Sequence, residues 1–507
     1  MLVFKRIFLP VLLALTLISS ALASEEIDKK LEAIRKLDIK NSTIKSLTYS
    51  DSPTMDLGNK KILKNFPPRV ILKMLLQPAK GSNINIEIWL PAENKWNGRF
   101  IGLGNGGAAG RINPMTLAWP FYSGAAVATT DMGTAPNADS GIGNQEVWKD
   151  FGFRATHLMT VVAKQVINSF YGKMPQYSYF NGGSTGGQQA LQEAQRYPED
   201  YDGIIANVPA HCRTPLHAYF LWNDQILNKC KFTDSQHKNI MLAGNEHMAK
   251  KEIPQIAGKF ISDPRYDMND IEAVIKIARE KDPSLTDDHA EALKKLFDGP
   301  KHTVTGERIF CGIPFGSSIK SAHGHLYLFK WVFGKEKNLM DINFGKDIDT
   351  YTSSLGPYLN AENANLSEFK KRGGKLIMIS GTADSIVPFH ASLDYYERVI
   401  ETEGSLEKAQ EFIKFYVIPG MGHGSGGPGI NNLPNMLNLV MNWREKGEAP
   451  NKIQGKRMIN GKAEVDIPIY PYPAQVTWSE SEGFKAVEGT RRKVERISKK
   501  FRPDAAE

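Results

Sequence analysis

The sequence predicts an α/β protein with a mostly parallel sheet and a helical insertion, and three observations lead to this fold class. Short apolar runs typical of strands alternate with amphipathic helical segments along most of the chain. This alternation stops after Ala210 and returns near residue 355. A glycine-rich turn that holds Ser184 lies between a strand-like run and a helical run. Alternating strands and helices form sheets that are covered by helices on both faces.

Residues 1–23 have the pattern of a secretory signal peptide. Two basic residues precede an apolar run from Ile7 to Leu22, and small residues precede Ser24. The run is too short and wrongly flanked for a stable membrane span, although an uncleaved anchor is the alternative interpretation. No second long apolar stretch appears in the sequence. We therefore expect an exported protein, periplasmic or secreted, without membrane contact after cleavage.

Composition excludes several classes of protein. The formal net charge of +8 is spread along the chain, without the stripe of basic and aromatic residues that nucleic-acid binding requires. Three cysteines, Cys212, Cys230 and Cys311, are too few for a disulfide framework, and their spacing is not that of a metal site. The hydrophobic share of 41% is that of a globular core. The sequence carries no signal of an oligomeric state.

Residues 24–210 are predicted to form the first part of the sheet domain, and residues 355–507 the second part. Strand-like runs recur across both parts. In chain order they are "VILKMLL", "NINIEIWLP", "RFIGLG", "GAAVATTD", "YSYF", "GIIANVPA", "KLIMIS" and "FIKFYVIPG". Helical segments such as "RATHLMTVVAKQVINSFYG" and "QQALQEAQRYP" lie between them.

Residues 211–354, which we call the lid segment, interrupt this alternation. The segment is charged and mainly helical in pattern, with "DDHAEALKKLFDG" as its clearest helix. A long interruption after which the alternation resumes is typical of an insertion, and we interpret it as a lid over the carboxyl edge of the sheet. The alternative is an independent domain with its own function.

Ser184 is the candidate nucleophile. Gly182 to Gly186 satisfy the pattern G-x-S-x-G, which alone is weak because glycine-rich loops produce it by chance. The chemistry requires a strand, a sharp turn and a helix, so that the hydroxyl projects while glycines let strand and helix approach closely. Here "YSYF" precedes the turn, and a helix that Pro198 ends follows it. These flanks favour a nucleophile over a flexible loop.

A serine nucleophile needs a base and a group that orients the base. Asp384 follows the strand-like "KLIMIS", and His423 lies in the glycine-rich loop "GMGHGSGG" after the next strand. The order serine, aspartate, histidine is that of the α/β-hydrolases. His157 and His390 are competing bases, but neither lies in a glycine loop after a strand. Asp384 as a helix cap and His423 as an ordinary loop residue are the structural alternatives.

The oxyanion of a tetrahedral intermediate needs backbone donors. Thr185, which follows the nucleophile, can supply one N–H group. The loop "GLGNGGAAG" after an early strand can supply the other, and Gly106 or Gly107 is the candidate. The rival interpretation is a dinucleotide-binding loop, but no acidic residue follows at the expected distance.

Six stretches of the chain resemble the tannase and feruloyl esterase family. The matching stretches are "WNGRFIGLGNGGAAG", "DFGFRATHLMTVVAKQVINSFYG", "SYFNGGSTGGQQALQEAQRYPEDYDGIIANVPA", "NLSEFKKRGGKLIMISGTADSIVPFHASLDYYERV", "VIPGMGHGSGGPG" and "LVMNWREKGEAPNKI". They span nearly the whole mature chain in the order of the family. The resemblance implies an α/β-hydrolase fold with an inserted lid, and Ser184, Asp384 and His423 as its triad.

The chain departs from the family pattern at two places. Members usually have a disulfide between cysteines just before the serine and just after the histidine, whereas this chain has Gly183 and Gly424. Their lids usually carry an Asp-rich calcium loop, and here Asn245, Glu246 and Asp263 remain among several lysines. Calcium takes six to eight oxygen ligands, so we predict no calcium site and no cofactor.

The predicted function is that of an exported serine esterase, which hydrolyses small esters of aromatic acids of the feruloyl or galloyl type through an acyl-enzyme. Simple aryl, alkyl or terephthalate-type esters are alternative substrates, and acyl transfer to an alcohol is an alternative reaction. A catalytically silent binding protein with the same fold is a hypothesis from another class. It would be favoured if a triad residue were missing, and none is.

Overall fold

The computed structural model describes residues 25–58, 61–319, 323–489 and 496–503, so the predicted signal peptide at 1–23 lies outside the described residues. The strands are β1 (Ser42–Ser50), β2 (Thr54–Asp56), β3 (Ile62–Lys64), β4 (Arg69–Leu76), β5 (Ile84–Pro91), β6 (Arg99–Leu103), β7 (Ala126–Thr130), β8 (Tyr177–Gly183), β9 (Gly203–Asn207), β10 (Lys375–Gly381), β11 (Ile413–Ile418), β12 (Ile453–Ile459), β13 (Lys462–Ile469), β14 (Gln475–Ser479) and β15 (Gly483–Val487).

The helices alternate with the strands on both sides of a long helical stretch between β9 and β10. They are α1 (25–35), α2 (Pro114–Tyr122), α3 (Gln145–Lys149), α4 (Ala155–Tyr171), α5 (Thr185–Arg196), α6 (Arg213–Lys229), α7 (Asp234–Met248), α8 (Met268–Lys281), α9 (Asp287–Asp298), α10 (Tyr327–Phe333), α11 (Lys346–Leu359), α12 (Ser367–Lys371), α13 (Phe389–Glu403), α14 (Leu406–Gln410) and α15 (Met436–Lys446). A single π-helical turn, Asp150–Arg154, joins α3 to α4.

Nine strands form the central sheet in the order β1-β4-β5-β7-β6-β8-β9-β10-β11. The strands from β7 to β11 run parallel, whereas β1, β4 and β5 are antiparallel at one end. The predicted mostly parallel sheet of an α/β-hydrolase is therefore confirmed. Because the carboxyl ends of parallel strands meet at one edge, the loops after β6, β8, β10 and β11 gather there.

Each face of the sheet has its own hydrophobic core. Alternate residues of β8 and β10 face opposite sides, because side chains alternate along a strand. Phe180 and Met378 pack with α4, α5 and α13 on one face, while Tyr179 and Ile377 pack with α2 and α15 on the other. With both faces covered, a central strand such as β10 is a continuous buried run rather than an alternating one.

The lid segment packs around a separate core that is built mainly from α6 to α11. It also contacts the loops at the carboxyl edge of the sheet: the Tyr219 hydroxyl donates to the carbonyl of Ser385 at 2.8 Å, and the Thr382 hydroxyl donates to the carbonyl of Ile261 at 2.6 Å. The division of the chain at residue 354 stays a prediction, and α11 runs across it without a break.

Seven of the fifteen strands, β1 to β3 and β12 to β15, were not predicted from apolar runs in the sequence. The hairpin strands β2 and β3 and the paired strands β12 to β15 stand outside the central sheet and are short or polar. β1 pairs along one edge, where its pattern of half-buried and exposed residues carries few large apolar side chains. Among the described helices, none has the length and apolar character that a membrane crossing needs.

Candidate active site

Ser184 occupies a strained turn between β8 and α5. Its φ and ψ angles are 60° and −117°, a conformation that non-glycine residues rarely adopt. The flanking glycines are required, because a Cβ at Gly182 would lie only 2.0 Å from the carbonyl oxygen of Gly186. Strain of this kind persists where the surroundings enforce it and is concentrated at functional sites. The half-buried serine hydroxyl is thereby fixed at the carboxyl edge of the sheet.

His423 and Asp384 complete a hydrogen-bonded relay with Ser184. Nε2 of His423 lies 2.9 Å from Oγ of Ser184, and Nδ1 lies 2.8 Å from Oδ2 of Asp384. The other carboxylate oxygen of Asp384 accepts the backbone N–H groups of Ile386 and Val387, each at 2.9 Å. Asp384 is fully buried, and these bonds orient its carboxylate. The carboxylate holds the proton on Nδ1, which leaves Nε2 free to accept the serine proton.

Strand order explains why the three residues meet. Ser184 follows β8, Asp384 follows β10 and His423 follows β11, and β9 lies between β8 and β10 in the sheet. All four strands are parallel, so their following loops emerge at one edge. The structure therefore brings together the three side chains that the sequence places in this order.

The two competing histidines are engaged elsewhere. His157, on α4, hydrogen-bonds the carboxylate of Asp200 at 2.7 Å and stacks on the ring of Tyr197. His390, on α13, is 8% exposed, and burial lowers its pKa to about 3. Of the described histidines, His423 is the one whose ring hydrogen-bonds Ser184.

The loop after β6 is tied to the nucleophile helix by Asn105. Its N–H donates to Oε1 of Gln189 at 2.8 Å, its side-chain amide donates to the carbonyl of Thr130 at 2.6 Å, and its carbonyl accepts the N–H of Gly186 at 2.7 Å. This network fixes the backbone of the loop before it reaches Gly106.

Thr185 and Gly107 are brought into direct contact, and Gly106 adjoins them. The Thr185 hydroxyl donates to the carbonyl of Gly107 at 2.7 Å. A Cβ at either Gly106 or Gly107 would meet no heavy atom within 4 Å, so this side of the loop is open. Backbone N–H groups can approach a bound molecule here without obstruction by side chains.

Asn207, at the end of β9, lies beside both glycines that stand at the family's cysteine positions. A Cβ at Gly183 would lie 3.7 Å from Nδ2 of Asn207, and a Cβ at Gly424 would lie 3.5 Å from the same atom. The carbonyl of Asn207 also accepts the N–H of Ser184 at 2.9 Å. Cys212, Cys230 and Cys311 are all free thiols. A side-chain amide, and no disulfide, thus lies between the serine turn and the histidine loop.

Arg213 and Tyr327, which were not identified from the sequence, lie beside the glycine-rich loop that follows β6. Arg213 is the first residue of α6 and is 2% exposed. Its guanidinium donates to the Thr185 hydroxyl at 3.0 Å and to the Tyr327 hydroxyl at 2.5 Å. No sequence pattern marks either residue, because their position depends on how the lid segment docks on the sheet.

Two histidines near Arg213 have lowered pKa values. Burial and the positive charge of Arg213 lower the pKa of His217 far below its usual range. Burial, Arg213 and His423 lower the pKa of His325 as well. Of these three neighbouring side chains, Arg213 is therefore the one that carries the positive charge.

The two carboxylates that remain in the family's calcium region are already paired, whereas Oδ1 of Asn245 has no hydrogen-bond partner among the described residues. Glu246 forms an ion pair with Lys281 at 2.5 Å, Asp263 is paired with Arg265, and the Asn245 amide donates to a carbonyl at 3.3 Å. A cation would have to displace these partners, so the donor set fits calcium poorly. The absence of a calcium site stays a prediction.

Among the residues that the structure describes, one other group of side chains has metal-ligand chemistry. The ligand atoms of His157, Glu193 and Asp200 all lie within 4.8 Å of one another. Burial, together with Asp200, raises the pKa of the Glu193 carboxyl well above its usual range. Nζ of Lys164 lies 3.9 Å from Asp200, so a cation already stands at the edge of the group. The group is therefore mostly buried and already has a cation beside it.

Comparison with known proteins adds independent information. Residues 69–344 and 334–492 match the family model of tannase and feruloyl esterase. The chain is 28% identical to feruloyl esterase B of Aspergillus niger over 492 residues, which covers 89% of this chain and 94% of that protein. It is 27% identical over 505 residues to an uncharacterized esterase of Xanthomonas campestris, which covers 87% of each chain.

Solved structures support the fold. Feruloyl esterase B from Aspergillus oryzae superposes with a TM-score of 0.75 at 23% identity, covering 90% of this chain and 99% of that one. The tannin acyl hydrolase from Aspergillus niger gives a TM-score of 0.72 at 17% identity, covering 91% and 95%. With the family model matching most of its length, the chain belongs to the tannase and feruloyl esterase family and is a carboxylic ester hydrolase.

Proposed function

We propose that the protein is an exported serine esterase that hydrolyses small esters of aromatic acids through an acyl-enzyme on Ser184. The observation that carries the proposal is the relay from Ser184 through His423 to Asp384, with both hydrogen bonds at 2.8–2.9 Å. A nucleophile, its base and the group that orients the base form a unit that activates a hydroxyl.

The first half of the reaction forms the acyl-enzyme. Nε2 of His423 takes the proton of the Ser184 hydroxyl as Oγ attacks the ester carbonyl carbon. Negative charge develops on the carbonyl oxygen, and we assign its stabilisation to the N–H of Thr185 and an N–H of Gly106 or Gly107. The tetrahedral intermediate then expels the alcohol, which leaves with the proton from His423.

The second half returns the free enzyme. A water molecule gives a proton to His423 and attacks the acyl carbon, and the second tetrahedral intermediate releases the carboxylic acid as Ser184 recovers its proton. Asp384 stabilises the imidazolium of His423 in both halves of the reaction. No step requires a metal ion or an organic cofactor.

An aromatic acid is favoured by the relatives and by the rings that stand near the site. The relatives are named feruloyl esterases, and the structural neighbours include a tannin acyl hydrolase. The hydroxyl of Tyr327 lies 3.4 Å from the carbonyl of Gly107, and its ring packs 5.3 Å from His217 and 6.3 Å from Phe151.

The decisive experiment compares the wild-type protein with Ser184→Ala on p-nitrophenyl acetate, methyl ferulate, methyl gallate and a terephthalate half-ester. We expect hydrolysis of the aromatic esters and a loss of roughly 10³-fold or more in the variant. Intact-mass measurement of rapidly quenched mixtures should show an acyl adduct that maps to Ser184.

The matched control is Ser392→Ala. Ser392 is a fully buried serine whose hydroxyl has no hydrogen-bond partner in the described part of the chain, and we expect its loss to leave turnover unchanged. A folded Ser184→Ala protein with wild-type turnover would contradict the proposal. Inactivity of the wild-type protein on every ester would favour a silent binding protein instead.

Export is tested separately. The predicted signal peptide covers residues 1–23, so we expect the mature chain to begin at Ser24. N-terminal sequencing of the protein from periplasmic and culture fractions measures this directly. An intact N-terminus in the membrane fraction would support the anchor interpretation instead.

A further inference from the structure

Arg213 is a buried cation without an acidic partner. Its side chain is 2% exposed, and no described carboxylate forms an ion pair with it. Phe151 stands 5.2 Å from the guanidinium carbon, and the remaining neighbours are hydroxyl and carbonyl oxygens. Burying an unpaired charge is costly, so residues of this kind are usually paired. Arg308, by contrast, is a buried arginine of the lid segment that bonds the carboxylate of Asp298 at 2.9 Å.

The hydrogen bonds of Arg213 have a fixed direction. Nη1 donates to the Thr185 hydroxyl at 3.0 Å, and that hydroxyl has a single proton, which it donates to the carbonyl of Gly107 at 2.7 Å. Nη2 donates to the Tyr327 hydroxyl at 2.5 Å and lies 3.4 Å from the same carbonyl of Gly107. The guanidinium therefore joins the nucleophile helix, the glycine loop and the lid segment at one point.

We propose that Arg213 is a positioning residue of the oxyanion hole, where its uncompensated charge and its bonds to Thr185 and Gly107 favour the negatively charged tetrahedral intermediate. This inference rests on the proposed function. The bonds fix the two backbone segments that supply the N–H donors, so the donors need no reorganisation when charge develops. The positive charge lowers the energy of a nearby anion more strongly in a buried site than in water.

The geometry argues against a direct contact between Arg213 and a substrate carboxylate. Both Nη atoms are engaged by protein oxygens, and Nε is buried without a partner among the described residues. An anionic substrate would need exposed donors on the guanidinium, which is 2% exposed. The guanidinium of Arg213 therefore acts on the reacting oxygen indirectly, through its bonds to Thr185 and Gly107.

The test compares Arg213→Met and Arg213→Lys with the wild-type protein on neutral esters, methyl ferulate and p-nitrophenyl acetate. We expect Arg213→Met to lower kcat by roughly 10- to 100-fold, which does not exceed the effect of removing a direct oxyanion donor. KM should change by less than about twofold. Arg213→Lys should recover part of kcat because it restores the charge without the forked geometry. Inhibition by phenylboronic acid, which forms an anionic tetrahedral adduct with serine, should weaken by a factor similar to the loss in kcat.

Thermal stability separates this role from a merely structural one. Thr185 and Tyr327 can both still donate to the Gly107 carbonyl without Arg213. Removal of an unpaired buried charge should therefore leave the Tm of Arg213→Met unchanged or higher. Arg308→Met is the matched control: it removes the donor to Oδ1 of Asp298 and leaves only the ion pair of Asp298 with Lys301, so we expect a lower Tm with kcat and boronate inhibition unchanged at 25 °C. If that variant does not fold, Arg308→Lys serves instead.

Three outcomes would overturn the inference. One is wild-type kcat in Arg213→Met, and another is a loss of kcat that follows the loss of Tm while boronate inhibition stays constant. The third is a loss confined to a terephthalate half-ester with neutral esters unaffected, since that would indicate a site for the substrate carboxylate. Activity retained in Ser184→Ala contradicts the proposed function, whereas an inactive Ser184→Ala together with a fully active Arg213→Met contradicts only the role of Arg213.

Discussion

Nε2 of His423 lies 2.9 Å from Oγ of Ser184, although 239 residues separate the two along the chain. No covalent link holds the two loops together, because the described cysteines are all free. The parallel register of the strands brings the loops together, and Asn207 lies beside both Gly183 and Gly424.

His423 and His390 should differ sharply as catalytic groups. We expect His423→Ala to lower kcat by roughly 10³-fold or more, because Ser184 loses its base. His390→Gln should stay within about threefold of wild type, since His390 packs 4.1 Å from Phe389 inside the protein. Steady-state kinetics on methyl ferulate measures both effects, and equal losses in the two variants would show that the base was wrongly assigned.

His390 should make the protein sensitive to acid. Burial, followed by the charges of Arg265 and Arg308, lowers its pKa from 6.5 to about 3, against the opposing effect of Asp263. Between these values the unfolded state binds a proton that the folded state does not, so the free energy of unfolding falls as the pH drops from 6.5 toward 3. His390→Gln removes this contribution. Its Tm should therefore decline less than that of the wild type between pH 7 and pH 4, and parallel curves would contradict the assignment.

Chelators should leave the protein unaffected. The carboxylates of Glu246 and Asp263 are paired with Lys281 and Arg265, so neither is a free anionic ligand for calcium. We expect neither turnover nor Tm to change with EDTA or added calcium, as measured by differential scanning fluorimetry. A Tm that falls by several degrees in EDTA and recovers with calcium would reverse this prediction.

The positions of Gly183 and Gly424 should accept an engineered disulfide once Asn207 makes room. Nδ2 of Asn207 lies within 3.7 Å of a Cβ at either position. We therefore expect Gly183→Cys with Gly424→Cys to oxidise more completely when Asn207 is also replaced by alanine. The bridge would contribute about 2–4 kcal/mol, offset by about 1–2 kcal/mol of strain because Gly424 has a φ of +69°.

Thiol titration and Tm with and without reductant measure that bridge. The single-cysteine variants serve as controls. Besides the buried Cys212 and Cys311, each should show two titratable thiols, Cys230 and the introduced cysteine, under oxidising and reducing conditions alike. Turnover of the wild-type protein should be indifferent to reductant. Failure of the bridge in both backgrounds would show that the two loops are not close enough to be joined.

The central sheet could be predicted because buried strands leave a strong signal. All eight apolar runs of the sequence analysis are strands of that sheet, from β4 to β11. β1 was missed because an edge strand with one exposed face needs few apolar residues. The strands β12 to β15 were missed for a related reason, since they form two hairpins outside the central sheet whose exposed positions carry polar residues.

The relay could be predicted for a topological reason. Ser184, Asp384 and His423 each follow a strand, and parallel strands deliver such residues to one edge. Asn207 and Arg213 could not be identified in this way. Their contacts depend on which strands are neighbours and on how the lid segment docks, and neither is encoded in a local pattern.

The chain on the two sides of the lid segment is held together, and this has a consequence for how the family can diversify. The N–H of Ala361 donates to the carbonyl of His211 at 2.9 Å, so the chain enters the lid segment and leaves it at adjacent positions. A segment whose two ends are already held together can be lengthened, shortened or exchanged at little entropic cost to the sheet. Arg213 and Tyr327 belong to that segment, yet both contact the carbonyl of Gly107. An exchange of lids would therefore alter the rate of the chemical step together with the choice of ester.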